Sequence, residues 1–321
     1  MNKKEQYPSV TNLKESVFLF VRNRKVQSLF FILFYVLLSA TKSRTFLIDG
    51  RFWAEDGAIF YPGVQNDILF LFNGHLELMT NITVYFSTLV ELKYAPLVTS
   101  YLSFTFQAIP IVMLIAFRDQ FEIKRLALFV IIIIVVGLPQ SSEVWANAAN
   151  LHFHFALLVA LIAALPFFDR YPKNTMRGFL ILSGLSGIPA NFLMPIYCLR
   201  LVLVKDNEAR IQAAILISTT IIQLTFLFYN FSPSGARSIS LEPVHVMLAI
   251  TAQQFVSPLL GSEAAESITL TLRAASSLNS QFWMLLGLIV ATVLLVYKKV
   301  VFSGVSQSVI LSVCGLCLAS A

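Results

Sequence analysis

Ala95-Pro-Leu-Val-Thr-Ser-Tyr-Leu-Ser-Phe-Thr-Phe-Gln-Ala-Ile-Pro-Ile-Val-Met-Leu-Ile-Ala-Phe117 contains no charged side chain, and Lys93 and Arg118 stand just beyond its two ends. A helix rising about 1.5 Å per residue covers a bilayer core of about 30 Å with about 20 residues. The run therefore reads as a membrane span. Composition agrees with it. Of 321 residues, 57% are hydrophobic and only 12% charged, with a mean hydropathy of +0.76. Soluble domains average about 45–50% apolar and about 25% charged. An ordinary soluble domain, a disordered chain and a disulfide scaffold are thereby excluded. The net charge of +6 is no nucleic-acid signal, because its placement along the chain follows the spans.

Apolar runs punctuated by charge extend the map in both directions. Val26–Ala40, preceded by Arg22, Arg24 and Lys25, reads as an uncleaved signal anchor. A short apolar segment covers Thr80–Leu92. After the opening run come Leu126–Leu138, Asn150–Phe168 and a pair, Phe179–Gly187 and Ala190–Val204, broken at Gly187-Ile188-Pro189. Ile211–Tyr229, a weaker run at Val244–Leu260, and strong runs at Phe282–Tyr297 and Val301–Ala321 complete the set. The expected fold is all-α, a polytopic transmembrane helical bundle of about 10–11 membrane segments. Its expected organisation is a cytoplasmic segment over residues 1–25 and one transmembrane domain over 26–321, with an outer acidic loop at 43–79. The last run stops at Ala321 without a basic flank, as expected of a piece of something longer.

Lys and Arg orient the map. With the N-terminus in the cytoplasm, most basic residues fall inside, including Arg118, Lys124, Arg125, Arg170, Lys173, Arg177, Arg200, Lys205 and Arg210. The broken pair then dips from the inside and returns, since both flanks are basic. Thr80–Leu92 and Val244–Leu260 dip from the outside without crossing. Most acids fall outside, so acid chemistry is expected there. The protein is expected in a bacterial inner membrane.

Candidate chemistry follows from the outer polar stretches. Asp49-Gly-Arg-Phe-Trp-Ala-Glu-Asp-Gly57 places three carboxylates, Asp49, Glu55 and Asp56, among aromatics that suit an interface. Such acids serve as a general base, or ligate a divalent cation (Mg or Mn) that holds a phosphate. A solvated acidic loop is the plainer reading. His75 and Glu77 form a second cluster, ahead of Asn81 and Thr83. In Pro139-Gln-Ser-Ser-Glu-Val-Trp-Ala-Asn-Ala-Ala-Asn150, a helix would align Glu143, Asn147 and Asn150 at i, i+4 and i+7. His154 continues that row and His152 falls on the opposite side. The stripe reads as a cavity lining or as interhelical hydrogen-bond glue. Two histidines two residues apart do not converge as a metal pair, so no metal site is expected. Arg237 and Arg273 are the late outer basic residues best placed to meet a phosphate. Cys314 and Cys317 read as small residues one helical turn apart. No phosphate-binding glycine loop, dinucleotide fingerprint or nucleophile elbow occurs.

The first span, the outer acidic loop D-G-R-F-W-A-E-D-G and the stretch P-Q-S-S-E-V-W-A-N-A-A-N together resemble the GT-C superfamily over roughly residues 27–204. These are multispanning glycosyltransferases that take sugar from a polyprenyl-phosphate donor. The resemblance implies a catalytic acid in the first outer loop: Asp56 first, with Glu55 and Asp49 as alternatives. It implies sugar transfer to an envelope glycan, lipid or protein acceptor on the outer face. The partners would be the lipid-linked sugar and membrane lipid, with no nucleic acid. His75, Glu77, Glu143, Asn147, Asn150 and His154 would line the pocket, and Arg51 or Arg237 would hold the departing phosphate. The competing reading is a transporter or flippase for a lipid-linked or amphiphilic solute, for which broken helices would build the site.

Overall fold

The computed structural model describes residues 23–121, 123–137, 145–165, 172–204 and 206–230, with Ser267 and Leu270. Glu143, Arg237, Arg273, Cys314, Cys317 and the runs from Val244 onward lie outside the described residues. The described chain is mostly helical. Three of its helices are long and apolar enough to cross a membrane. These are α1 (Arg24–Lys42), α5 (Ala95–Ala116) and α11 (Asn207–Tyr229). Each starts where the sequence supplies a device for starting. Asn23 accepts from Lys25 N at 3.1 Å and Asp206 from Glu208 N at 3.0 Å. Pro96 occupies the first turn of α5. Each device satisfies or dispenses with a helix-end N–H that has no carbonyl partner.

Between α1 and α5 lies a folded segment. It holds α2 (Arg44–Asp49), a π-helical turn (Asp56–Phe60), α3 (Tyr61–Asn66), a two-stranded hairpin of β1 (Leu71–Phe72) with β2 (His75–Leu76), and α4 (Leu78–Thr88). Gly50 closes α2 in the left-handed region at φ +58°, against Leu97 of α5. Further on come α6 (Arg125–Gly137), α7 (Leu151–Ala164), α8 (Lys173–Gly184), the single turn α9 (Ile188–Asn191) and α10 (Met194–Val204). The sequence LHFHFALLVALIAA of α7 is apolar on nearly every side, and the helix is accordingly the buried axis of the bundle. Around it pack α4, α5, α8, α9 and α10, with α11 beyond. A second core joins α1, α5 and α6 around Tyr35, Ile115, Ile132 and Trp145. The opposite side of α1, with Leu29, Phe30, Leu33 and Leu37, is exposed.

The bundle has two chemically distinct ends. At one, Arg24 reaches Ala116 O at 3.4 Å, and Arg118 donates to Gln27 Oε1 at 2.8 Å. There too Arg200 donates to Ile162 O at 3.1 Å and also to Leu165 O, and Arg177 grips Glu208 at 2.5 Å. At the other end lie Asp49, Asp56, Glu77 and Glu91. From the basic end α8 runs to a turn at 185–187, where Leu185 meets Leu78, and α10 returns to the basic end through Arg200. One expectation fails. Residues 145–150 form bends and turns, and α7 begins only at Leu151. No helical stripe therefore carries Asn147 and Asn150 on to His154.

A chain that crosses a membrane lengthwise would leave these two ends on opposite sides. Single cysteines at Glu91 and Lys124, both exposed, are expected to react with a membrane-impermeant maleimide from opposite sides of intact vesicles. Labelling of both from the same side would refute this arrangement.

Candidate functional site

Asp56 is the first residue of the π-helical turn and is only 1% exposed. Single π-type turns recur at functional sites. Its carboxylate spans the loop before α7: Oδ2 accepts from Ala148 N at 3.0 Å and Oδ1 from Ala149 N at 2.8 Å. Burial pushes the carboxyl up to about 7; the two amides pull against this, and the nearby Glu55 and Glu77 carboxylates add to it.

Glu77, which caps α4, is also buried and stands near Asp56. His75 Nε2 lies 3.2 Å from its Oε1, and His152 Nδ1 lies 3.5 Å from its Oε2. The Thr80 hydroxyl sits between Glu77 Oε2 at 3.1 Å and Ala148 O at 2.9 Å, linking this carboxylate to the loop that Asp56 holds. Burial alone would raise the Glu77 carboxyl; the two imidazoles outweigh it and bring it down to about 2. The imidazole side chains keep 15% and 17% of their surface exposed. The cluster is thus two buried carboxylates behind two accessible imidazoles.

Its frame is made of non-helical backbone tied down by side-chain amides. On α5, Gln107 accepts from Ala146 N at 2.8 Å and donates to Asn147 O at 3.0 Å. This holds Ala146 at φ +59°, a conformation that non-glycine residues seldom adopt. On α11, Gln223 bonds both the N–H and the C=O of Leu76, at 3.0 and 2.8 Å, as a neighbouring strand would. Asn191 donates to Gly184 O at 2.8 Å and Gly187 O at 3.0 Å, and Thr219 and Thr220 donate to its own carbonyl. Leu78 N donates to Leu185 O at 3.0 Å and Met79 N to Ser186 Oγ at 3.2 Å, joining the start of α4 to the break after α8.

The sequence-derived candidates separate into groups. Asp56, Glu77 and His75 come together, with Glu55 half-buried beside them. Asp49 is exposed at the end of α2, and Arg51 is exposed with its guanidinium 5.4 Å from the centre of the Phe46 ring. Asn147 is buried and accepts from Asn150 N at 3.0 Å through its side chain. His154 turns back to Asn150 O at 3.2 Å and packs its ring on Trp145 at 4.9 Å. These last three brace the loop. His152, expected on the far side from the polar row, instead faces Glu77. The expectation carried one helical phase through residues 143–154, but the turn at 145–150 resets the phase at Leu151. Thr80, Gln107 and Gln223 were also missed as parts of the site. Polar side chains inside apolar runs were the available signal for the two glutamines.

The carboxylate oxygens of the cluster are engaged within the protein: those of Asp56 accept backbone amides, and those of Glu77 face His75, His152 and Thr80. Among the described residues no group of three His, Cys, Asp or Glu side chains is arranged to hold a metal. Comparison with family models, curated proteins and solved structures finds no match. The class of protein is therefore read from the site's own chemistry.

Two outcomes test this geometry. For Asp56, the folded-state value near 7 lies above the usual carboxyl value near 4. Ionisation therefore opposes folding. The cost is absent below about pH 4, grows with pH, and is complete above about pH 7. In detergent, the melting temperature of wild type relative to Asp56→Asn is expected to fall between pH 4 and pH 7; a constant difference would refute the assignment. Gly187 sits at φ +113°, and a Cβ there would lie 2.9 Å from the Cβ of His152. Gly187→Ala is expected to cost about 1–3 kcal/mol in thermal unfolding, and an unchanged melt would contradict the packing.

Proposed function

We propose that this chain is a membrane glycosyltransferase of the GT-C kind, moving a sugar from a polyprenyl-phosphate donor to an envelope glycan, lipid or protein acceptor. The acidic end faces outward and the N-terminus lies in the cytoplasm, because basic residues collect at the cytoplasmic ends of spans. The protein is multi-pass, with its reaction at the outer surface of a bacterial inner membrane. The observation that carries the reading is the cluster itself: Asp56 and Glu77 are buried side by side at the acidic end, and two accessible imidazoles cover Glu77. Buried acids with their ionisation pushed in opposite directions beside accessible histidines are what acid–base chemistry requires. A bundle that merely packed would need none of them.

Sugar transfer from a lipid phosphate needs a group to take the acceptor's proton and a cation to meet the departing phosphate. The cluster supplies the first. Arg51, exposed and five residues ahead of Asp56, supplies the second. Asp49 and Glu55 lie on the same segment and contribute hydroxyl-binding oxygens. Asp56 sets the position of the loop that carries the start of α7 into the site.

The test is a mass profile of envelope glycans and polyprenyl-phosphate sugars in cells lacking the protein, cells with wild type, and cells with Asp56→Ala at equal membrane abundance. Wild type is expected to restore a sugar increment. Cells lacking the protein are expected to lose it, and Asp56→Ala cells to lose most of it because the loop before α7 is released, with the lipid-linked donor accumulating in both. Three identical profiles would overturn the reading.

A further inference from the structure

We propose that His152 is the residue that takes the proton from the acceptor hydroxyl, with Glu77 as its positioning carboxylate. The inference rests on the glycosyl-transfer reading and names the group that performs the proton transfer. Asp56 is poorly placed for that task. At 1% exposure, with a backbone amide on each carboxylate oxygen, it is shut off from an acceptor at the surface. His152 presents a free lone pair. Its Nδ1 is turned to Glu77 Oε2 at 3.5 Å, so Nε2, on the far side of the ring, points away from the carboxylate. Among the described residues Nε2 has no partner. The ring is 17% exposed.

The surroundings fix that orientation. The Phe153 ring centre lies 4.1 Å from that of His152. Gly187, without a side chain, lets the backbone of the α8–α9 break close against the His152 Cβ. On the other side Glu77 is held by His75 and by the Thr80 hydroxyl. A base oriented by a carboxylate that is itself held by further hydrogen bonds is the arrangement that nucleophile activation uses on unrelated folds. The titratable groups around His152 are Glu77 capping α4, His75 on β2, Asp56 and Glu55 at the π-helical turn, and His154 on α7 itself. In the break between α8 and α9, Ser186 and Gly187 contribute none.

The step balances as follows. The acceptor oxygen attacks the anomeric carbon and forms the new C–O bond. The acceptor O–H bond breaks, and its proton joins the Nε2 lone pair. The old C–O bond to the donor phosphate breaks, and its electron pair leaves on the phosphate oxygen. Neutral His152 becomes an imidazolium beside the Glu77 carboxylate, then returns its proton to water.

The test uses full-length protein in cells lacking the native copy, at equal membrane abundance, with external pH varied. The rate at which the sugar increment appears in envelope glycans is read by mass spectrometry. Wild type is expected to lose rate on the acid side, where protonation removes the imidazole lone pair. His152→Gln is expected to lose about 10²–10⁴-fold while lipid-linked donor accumulates. Glu77→Gln is expected to move the acid limb to lower pH, because the imidazolium loses its counter-charge; a purely structural role would leave the limb in place. A His152→Gln rate within about threefold of wild type, on a profile where its base loss should cost at least about 10²-fold, overturns the proposal. Should that variant fail to accumulate, an unmoved limb in Glu77→Gln overturns it instead. If wild type restores no increment, the glycosyl-transfer reading fails and this inference with it. An increment restored by both wild type and His152→Gln spares the reading and removes only His152.

Discussion

Non-helical backbone inside an apolar bundle must find hydrogen bonds within the protein, because lipid offers none. Three such segments meet at the acidic end: the hairpin at Leu76, the loop at 145–150 and the break at 184–187. Each is answered by one carboxamide. Gln223 pairs with both backbone groups of Leu76, Gln107 with Ala146 and Asn147, and Asn191 with Gly184 and Gly187. An amide side chain offers a donor and an acceptor at once, so it can stand in for a peptide unit. The acid cluster hangs from this frame. Asp56 binds the backbone of the second segment, Glu77 follows the first, and the third backs His152.

Much of the helical layout was legible in the sequence, because charge-free runs bounded by Lys and Arg are a strong signal. Ala95–Ala116 and Arg24–Lys42 agree with the runs read from composition to within a few residues. The broken pair was legible too, since Gly187-Ile188-Pro189 cannot continue a helix. What escaped was the phase around residue 150. Asn147 and Asn150 look helical by spacing, yet each is also a residue that bonds local backbone in turns. The turn prevailed because Gln107, thirty-nine positions earlier, pins Ala146 in a conformation that no helix contains. A contact so distant in sequence leaves no local trace.

The site was half legible for the same reason. Asp56, Glu77 and His75 stand out as polar residues after a first span. Their convergence depends on the hairpin, which brings His75 and Glu77 beside the π-helical turn. His152 looked wrong by helical bookkeeping alone. Its identity as a neighbour of Glu77 needed both the reset at Leu151 and the absence of a side chain at Gly187.

The two carboxylates behave oppositely although both are buried. Glu77 has two imidazoles and a hydroxyl around it, so its charge is compensated where it stands and its ionisation falls to about 2. Asp56 has only the partial charges of two amides, and it faces Glu55 and Glu77, so its ionisation rises to about 7. The cause is the sidedness of the cluster: its imidazoles lie toward the surface, against Glu77. Asp56, behind Glu77, holds Ala148 and Ala149 and so anchors the loop that leads into α7, the helix that carries His152.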